Sequence, residues 1–296
     1  GTYRAGYMAY ALHKKMNLPY IVTSHSDILT SNSARIQRRS ILKRCATVLK
    51  HAAFVTHLTP QMANASHAIY NTAEKSAIVH NGIDISTYQV ESKSTTPYFL
   101  AIGRLVTEKG FLVLLDAFLQ LHQSGSDASF VIAGTGILET TLIERAKRAG
   151  VNVVTGWSDS NPIPKRSVIF TQYVRAELKA QLYAGAACVL FAPQPTIWEE
   201  AFGIVQLEAM AAKKPLIVSD IGVTRYLEQL GMCAQFVKAD DSSAWLQAMQ
   251  TILQDETLRA KMSENNMQAI QQFDWQAIAK SYATIYNRLA THFIST

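Results

Sequence analysis

"YFLAIGRLVTEKGFLVLLDAFLQLHQ", residues 98–123, changes its hydrophobic period halfway along. "YFLAIG" (98–103) is an unbroken apolar run closed by glycine, the pattern of a strand buried on both faces. From Phe111 the apolar residues recur at i, i+3 and i+4, which predicts a helix over "FLVLLDAFLQLHQ" (111–123). Between them runs a short loop with Gly103 and Arg104 at its start and Lys109-Gly110 at its end. Two cations on a strand-to-helix loop suit a diphosphate, whose charge must be neutralised as it leaves. A surface loop closed by a salt bridge has the same composition.

The alternation continues outward from this stretch. Buried parallel strands are predicted at "SFVIAG" (129–134), "VNVVTG" (151–156), "SVIF" (167–170), "CVLFAP" (188–193), "PLIVSD" (215–220) and "AQFV" (234–237). Helical patterns lie between most of them: "LETTLIERAKRAG", "RAELKAQLYAGA", "GIVQLEAMAA" and "AWLQAMQTILQD". This order predicts an α/β, doubly wound sheet with helices on both faces, its ligand at the carboxyl ends of the strands. Toward the N-terminus the theme is shorter: a helix "AGYMAYALHKKM", a strand "PYIVTSHS" (19–26), a basic helix over about 33–53, "AFVTHLT" (53–59) and "SAIVHNGID" (76–84). Three strands are too few for a complete domain of this type. The polar "VESKSTTP" (90–97) reads as the linker, and "FDWQAIAKSYATIYNRLATHF" (273–293) as a long helix. The expected organisation is a partial Rossmann-like domain over 1–90, a complete one over 91–272, and a helix over 273–296 that packs back on the first.

The chain of 296 residues is 48% apolar and 17% charged, a globular composition. No apolar run approaches the roughly 20 residues of a membrane span. Cys45, Cys188 and Cys233 sit in apolar surroundings without metal-ligand spacing, which favours buried thiols in a reducing compartment and a cytoplasmic location. The net charge of +6 is concentrated in residues 1–50, which hold nine Lys/Arg against one acid, Asp27. In the predicted 33–53 helix Ile41, Cys45, Val48 and Ala52 line one face, and Arg35, Arg38, Arg39, Lys43, Arg44 and Lys50 occupy much of the rest. This is either a solvated face or an attachment surface for an anionic membrane. No aromatic residues interleave the basic ones, which argues against nucleic acid.

"WEEAFGIVQLEAMA" (198–211) places Glu200 and Glu208 eight positions apart in apolar surroundings. On one helix that spacing rises about 12 Å, beyond the roughly 5–9.5 Å between the two carboxyls of glycosidases. A hydrolytic pair is therefore excluded in favour of a turn: Phe202-Gly203 opens a helix, Glu200 stands at its mouth and Glu208 two turns inside. The N–H groups near Gly203 and Ile204 would point at an anion. Glu208 would accept from a neutral diol and Glu200 would reach beyond the anion, so a sugar nucleotide fits. A capping Glu200 with a solvated Glu208 is the simpler arrangement.

Taken together, "GRLVTEKG" (103–110), "EAFGIVQLEAMA" (200–211) and "HNGID" (80–84) resemble the retaining glycosyltransferases of family four, which have the GT-B fold of two Rossmann-like domains. The resemblance implies that Gly103, Arg104 and Lys109 hold the donor diphosphate. Glu200 would contact sugar hydroxyls, Glu208 the ribose, and the backbone of Phe202, Gly203 and Ile204 the sugar and phosphates. "TSHSD" (23–27) resembles the first-domain loop whose histidine faces the cleft, which marks His25 for contact with the donor sugar. With Glu200, Arg104 and Lys109, His25 completes the expected catalytic set. The implied reaction is front-face substitution with retention, moving a hexosyl group, mannose or glucose by family frequency, from a UDP- or GDP-sugar to a glycan or lipid-linked acceptor. Neither a metal nor another cofactor is expected. The chain departs from the family at its N-terminus, where about four strands are lacking, and at Lys213 and Tyr226. Two readings follow: a fragment of a longer protein, or, if the 296 residues are the whole, a second subunit or a dimer that covers the partial domain. The alternatives are a non-catalytic nucleotide-sugar-binding subunit and, lower, an epimerase.

Overall fold

The computed structural model describes residues 2–25, 38–158, 161–195 and 200–294. The chain divides into two compact units: 1–82 with 198–202 and 273–296, and 83–197 with 203–272.

In the first unit, α1 (Arg4–Met16), β1 (Ile21–Ser24), α2 (Arg39–His51), β2 (Phe54–His57), α3 (Pro60–Ile69) and β3 (Ser76–Ile78) follow one another. The strands form a parallel sheet in the order β1-β2-β3. Val22 pairs in register with Val55, and both pack with Val48, Leu49 and Ala52 at the end of α2. Ile41, Cys45 and Val48 are buried at helical spacing while Arg39, Lys43, Arg44 and Lys50 are exposed, so the apolar stripe of α2 is spent on the core. The predicted residues 33–37 of this helix, with Arg35, lie outside the described residues. On the opposite side of the strands the Thr56 hydroxyl donates to Thr23 Oγ1 at 3.0 Å. Thr23 Oγ1 in turn lies 3.5 Å from the Tyr282 hydroxyl of the C-terminal helix, Trp275–Ile294.

The second unit runs β4 (Tyr98–Ile102), α4 (Phe111–Gln123), β5 (Ser129–Ala133), α5 (Glu139–Arg148), β6 (Asn152–Thr155), β7 (Ser167–Gln172), α6 (Ala176–Gly185) and β8 (Cys188–Phe191). It continues through α7 (Ile204–Ala211), β9 (Leu216–Ser219), α8 (Gly222–Gln229), β10 (Gln235–Val237), α9 (Ser242–Gln254) and α10 (Glu256–Ala269); the C-terminal helix is α11. All seven strands pair in parallel in the order β10-β9-β8-β4-β5-β7-β6. β5, β8 and β9 are buried throughout, as their unbroken apolar runs require, whereas the edge strand β6 exposes Asn152 and Thr155.

Three helices were not signalled by periodicity. Pro60 starts α3 behind a Thr59 cap that accepts from the Met62 N–H at 3.2 Å, in an otherwise polar run. α8 is only eight residues long, and α10 buries just Met262 and Asn266. Cys45, Cys188 and Cys233 are all free thiols; the first two are buried and the third partly so.

Candidate functional site

The order of the larger sheet reverses at β4. From β4 the chain works outward through β5, then returns to the other side of β4 with β8. In open parallel sheets the loops beyond the carboxyl ends of the strands at such a reversal enclose the ligand crevice. Here those loops are 103–110 after β4 and the segment that leaves β8 at 192–195.

The two loops are joined by backbone. The Gln194 N–H donates to the Glu108 carbonyl at 2.9 Å, and the Gln194 side-chain amide donates to the Ala192 and Ala239 carbonyls at 3.0 and 2.9 Å. Gly110 has φ +70°, and a Cβ there would overlap the Ala192 carbonyl. Only glycine allows this conformation and this approach together.

Both helices that open from these loops have bare N-termini. α4 starts at Gly110 and α7 at Gly203, neither has a side-chain cap, and neither has an acid in its first turn. The contrast is with α9 and α10. Asp241 accepts from the Ser243 and Ala244 N–H groups at 3.1 and 3.0 Å, and Asp255 from that of Leu258 at 2.8 Å. Two uncapped helix starts plus Arg104 and Lys109 make the crevice attractive to an anion. Arg104 does face Glu108, but at 3.9 Å with the guanidinium side chain 70% exposed. Such a pair contributes at most about 1 kcal/mol and yields readily to a better anion. Gly203 has φ +72°, and a Cβ on it would stand 2.5 Å from the Phe191 ring.

Glu208 is not solvated; it is 5% exposed. Oε1 accepts from the Tyr88 hydroxyl at 2.9 Å and from Lys179 Nζ at 2.5 Å, and Oε2 accepts from the Tyr183 hydroxyl at 2.7 Å. These donors offset the cost of burying a carboxylate. Of its roughly four acceptor positions, three are filled, which leaves Oε2 able to take one more donor. Burial, reinforced by the Glu208 charge, pushes the Tyr88 and Tyr183 phenols well above their ordinary range, so both remain donors. Neither tyrosine nor Lys179 is signalled by sequence spacing, because they stand 120, 25 and 29 positions from Glu208.

His25, Glu200 and Phe202 belong to the first unit. His25 follows β1, is exposed, and its Nδ1 lies 3.1 Å from Asn81 Oδ1. Glu200 is half-buried. The Phe202 side chain is a core group: its ring stacks on His80 at 5.8 Å and meets Phe273 edge-on at 6.2 Å. Burial there depresses the His80 imidazole below its ordinary range. Among the described residues no group of three or more His, Cys, Asp or Glu is placed to hold a metal ion.

Two parallel α/β units with this crevice have the GT-B fold. Solved structures share it: HepE of Anabaena in complex with UDP-glucose has a TM-score of 0.76 at 20% identity, over 97% of this chain and 76% of that one. Sucrose-phosphate synthase from Thermosynechococcus elongatus has a TM-score of 0.77 at 21% identity, over 97% and 72%. Residues 84–269 match the model of glycosyl transferases group 1, and the chain belongs to this family. Similar curated proteins include the phosphatidyl-myo-inositol mannosyltransferase of Mycobacterium leprae, 27% identical over 72% of this chain and 54% of its own length. Another is the D-rhamnosyltransferase WbpZ of Pseudomonas aeruginosa, 27% identical over 84% and 62%. The chain thus spans between about half and three-fifths of these relatives' lengths.

Proposed function

We propose that this chain is a retaining glycosyltransferase that moves a hexosyl group, mannose or glucose, from a UDP- or GDP-sugar to a glycan or lipid-linked acceptor. The observation that carries the reading is the pair of uncapped helix starts beside Arg104 and Lys109 at the strand-order reversal. In this reading the diphosphate lies across Gly103, Arg104, Lys109 and the N–H groups of Gly203 and Ile204. As the bond from the anomeric carbon to the diphosphate oxygen breaks, charge develops on that oxygen next to fixed cations and helix N-termini. The acceptor hydroxyl attacks the same face, passes its proton to the departing diphosphate oxygen, and the product retains configuration. The resemblance to the family assigns Glu200 and His25 to the sugar, and the open acceptor position on Glu208 Oε2 takes a ribose hydroxyl.

Attachment to an anionic membrane belongs to the same reading in a restricted form. The apolar face of α2 is buried, so contact would be electrostatic through Arg39, Lys43 and Arg44, each worth about 1 kcal/mol. No helix among the described residues is long and apolar enough to cross a membrane.

The deciding experiment is thermal unfolding with UDP-glucose, GDP-mannose and ADP-glucose, followed by product analysis with the best binder. A ligand present at 100 times its Kd adds about 2.7 kcal/mol. No shift with any nucleotide sugar overturns the proposal. Binding without transfer or hydrolysis supports instead the non-catalytic subunit.

A further inference from the structure

We propose that the larger unit carries a second ligand site, a pocket for one neutral pyranose residue of a glycan, at the end of its sheet opposite the crevice. The pocket is a cavity of about 240 Å³ between the start of β4, the end of α6 and the loop after β6. Every residue that lines it belongs to that unit. Tyr98, in its wall, is the first residue of β4. The crevice lies beyond the last, Ile102, roughly 13 Å further along the strand.

Trp157 and Gln181 both line the cavity. The Trp157 Nε1 and Gln181 Oε1 atoms are buried and have no hydrogen-bond partner among the described residues. One is a donor and the other an acceptor, and buried polar atoms are rarely left unpaired. The walls are also fixed in advance. The Tyr98 hydroxyl donates to the Leu182 carbonyl at 2.7 Å, which ties β4 to α6 beside the cavity. A Cβ on Gly185 would stand 2.6 Å from that hydroxyl, so α6 comes this close only because residue 185 has none.

Size and polarity select the class of ligand. The volume exceeds the roughly 150 Å³ of a cavity that admits benzene and falls short of the roughly 300 Å³ at which drug-sized pockets begin. One substituted six-membered ring fits. No acid among the described residues lines the cavity, and its one cation, Lys93, is exposed, so the ligand is neutral. Polar groups come from three separate segments: Ser94 before β4, Trp157 after β6 and Gln181 on α6. A pyranose carries hydroxyls around its whole rim, each able to donate to Gln181 or accept from Trp157. Its C–H groups suit the apolar walls of Ile163 and Leu182. A nucleobase keeps its polar atoms on flat edges, which meet one segment rather than three. A wider cleft of about 480 Å³ shares the Lys93 and Gln181 walls and leaves room for the next residue of a glycan. Under the reading above, in which the crevice extends a glycan, this site keeps hold of the chain being built.

The test is titration of the full chain with methyl α-D-mannopyranoside and methyl α-D-glucopyranoside, followed by the indole 1H–15N signals. The Trp157 signal is assigned by its loss in Trp157→Phe. At least one glycoside is expected to shift it, and saturating UDP should leave the Kd unchanged. Gln181→Leu should raise that Kd about three- to tenfold, as for one lost hydrogen bond, at an unchanged unfolding temperature. If Gln181→Leu does not fold, Trp157→Phe gives the same comparison, read by saturation transfer from protein to glycoside. Mannotriose or maltotriose should bind at least as well as the corresponding glycoside. No shift with either glycoside, a shift displaced by UDP, or an affinity indifferent to substitution overturns the site. A shift with uridine alone overturns the sugar class, and rejection of both trisaccharides overturns the glycan as its source. A chain that binds no nucleotide sugar overturns the reading of the crevice and leaves this test as it stands.

Discussion

Tyr183 donates its phenol proton to Oε2 of Glu208 at 2.7 Å, from a helix 25 residues earlier in the chain. The bond ties α6 to α7 through a charged acceptor in a buried place. Tyr183→Phe removes the donor and leaves a buried carboxylate oxygen short of a partner. The expected cost is about 1.5–3 kcal/mol, read as a lowered denaturant midpoint with unchanged slope. Tyr88→Phe should cost less, since Lys179 also serves Oε1. Equal stability of wild type and Tyr183→Phe would contradict the described contact.

Arg104→Ala and Lys109→Ala should each weaken UDP or GDP binding by about ten- to a hundredfold, the range of one charge-assisted hydrogen bond. Arg104→Ala should not lower the unfolding temperature by more than a degree or two, because the guanidinium side chain is 70% exposed and 3.9 Å from Glu108. Calorimetric titration measures the first and scanning calorimetry the second. Glu200→Gln should leave nucleotide binding in place and abolish transfer.

Gly110→Ala and Gly203→Ala test the backbone of the crevice. Both residues have positive φ and both lack room for a Cβ, so each substitution meets strain and overlap together. A loss of about 2 kcal/mol or more is expected from each. Gly125→Ala is the control: φ is +89° but nothing stands within 4 Å, so only the conformational cost of about 1 kcal/mol applies.

His57 gives the chain a predictable response to acid. Its ring is buried at the end of β2 beside His67, 5.9 Å away, and no described residue partners either nitrogen. Burial and then His67 lower its pKa to about 4. Above the ordinary histidine pKa near 6.5 both folded and unfolded chains hold it neutral, and the stability is fully present. Between 6.5 and about 4 only the unfolded chain takes the proton, so stability falls with pH, by up to about 3 kcal/mol. His80 and His122 are shifted in the same direction. The comparison of wild type with His57→Leu by urea unfolding at several pH values isolates the His57 share.

The strand positions were legible because buried parallel strands read as unbroken apolar runs. Every run marked in residues 98–237 is a strand within two or three residues of its predicted ends. The cationic loop was legible for a local reason: Arg104 stands just after β4 and Lys109 just before α4. What surrounds Glu208 was not, because Tyr88, Lys179 and Tyr183 reach it only through the packing of separate segments. A carboxylate in apolar sequence announces that it needs partners, but not from where. The same holds for Asn81 and His25, brought together by the alignment of three strand ends over 56 residues.

The neighbours at the reversal, β4 and β8, are about 90 residues apart in sequence, and their pairing Phe99↔Cys188 is among the longest-range contacts in the sheet. Closing so long a loop is entropically costly and slow. The ligand crevice therefore cannot preform on a nascent chain, because it is absent until β8 has been made and has found β4. During synthesis, nucleotide capture would report the pairing of β8 with β4, and a ribosome stalled before residue 188 would present the cationic loop with nothing to face it.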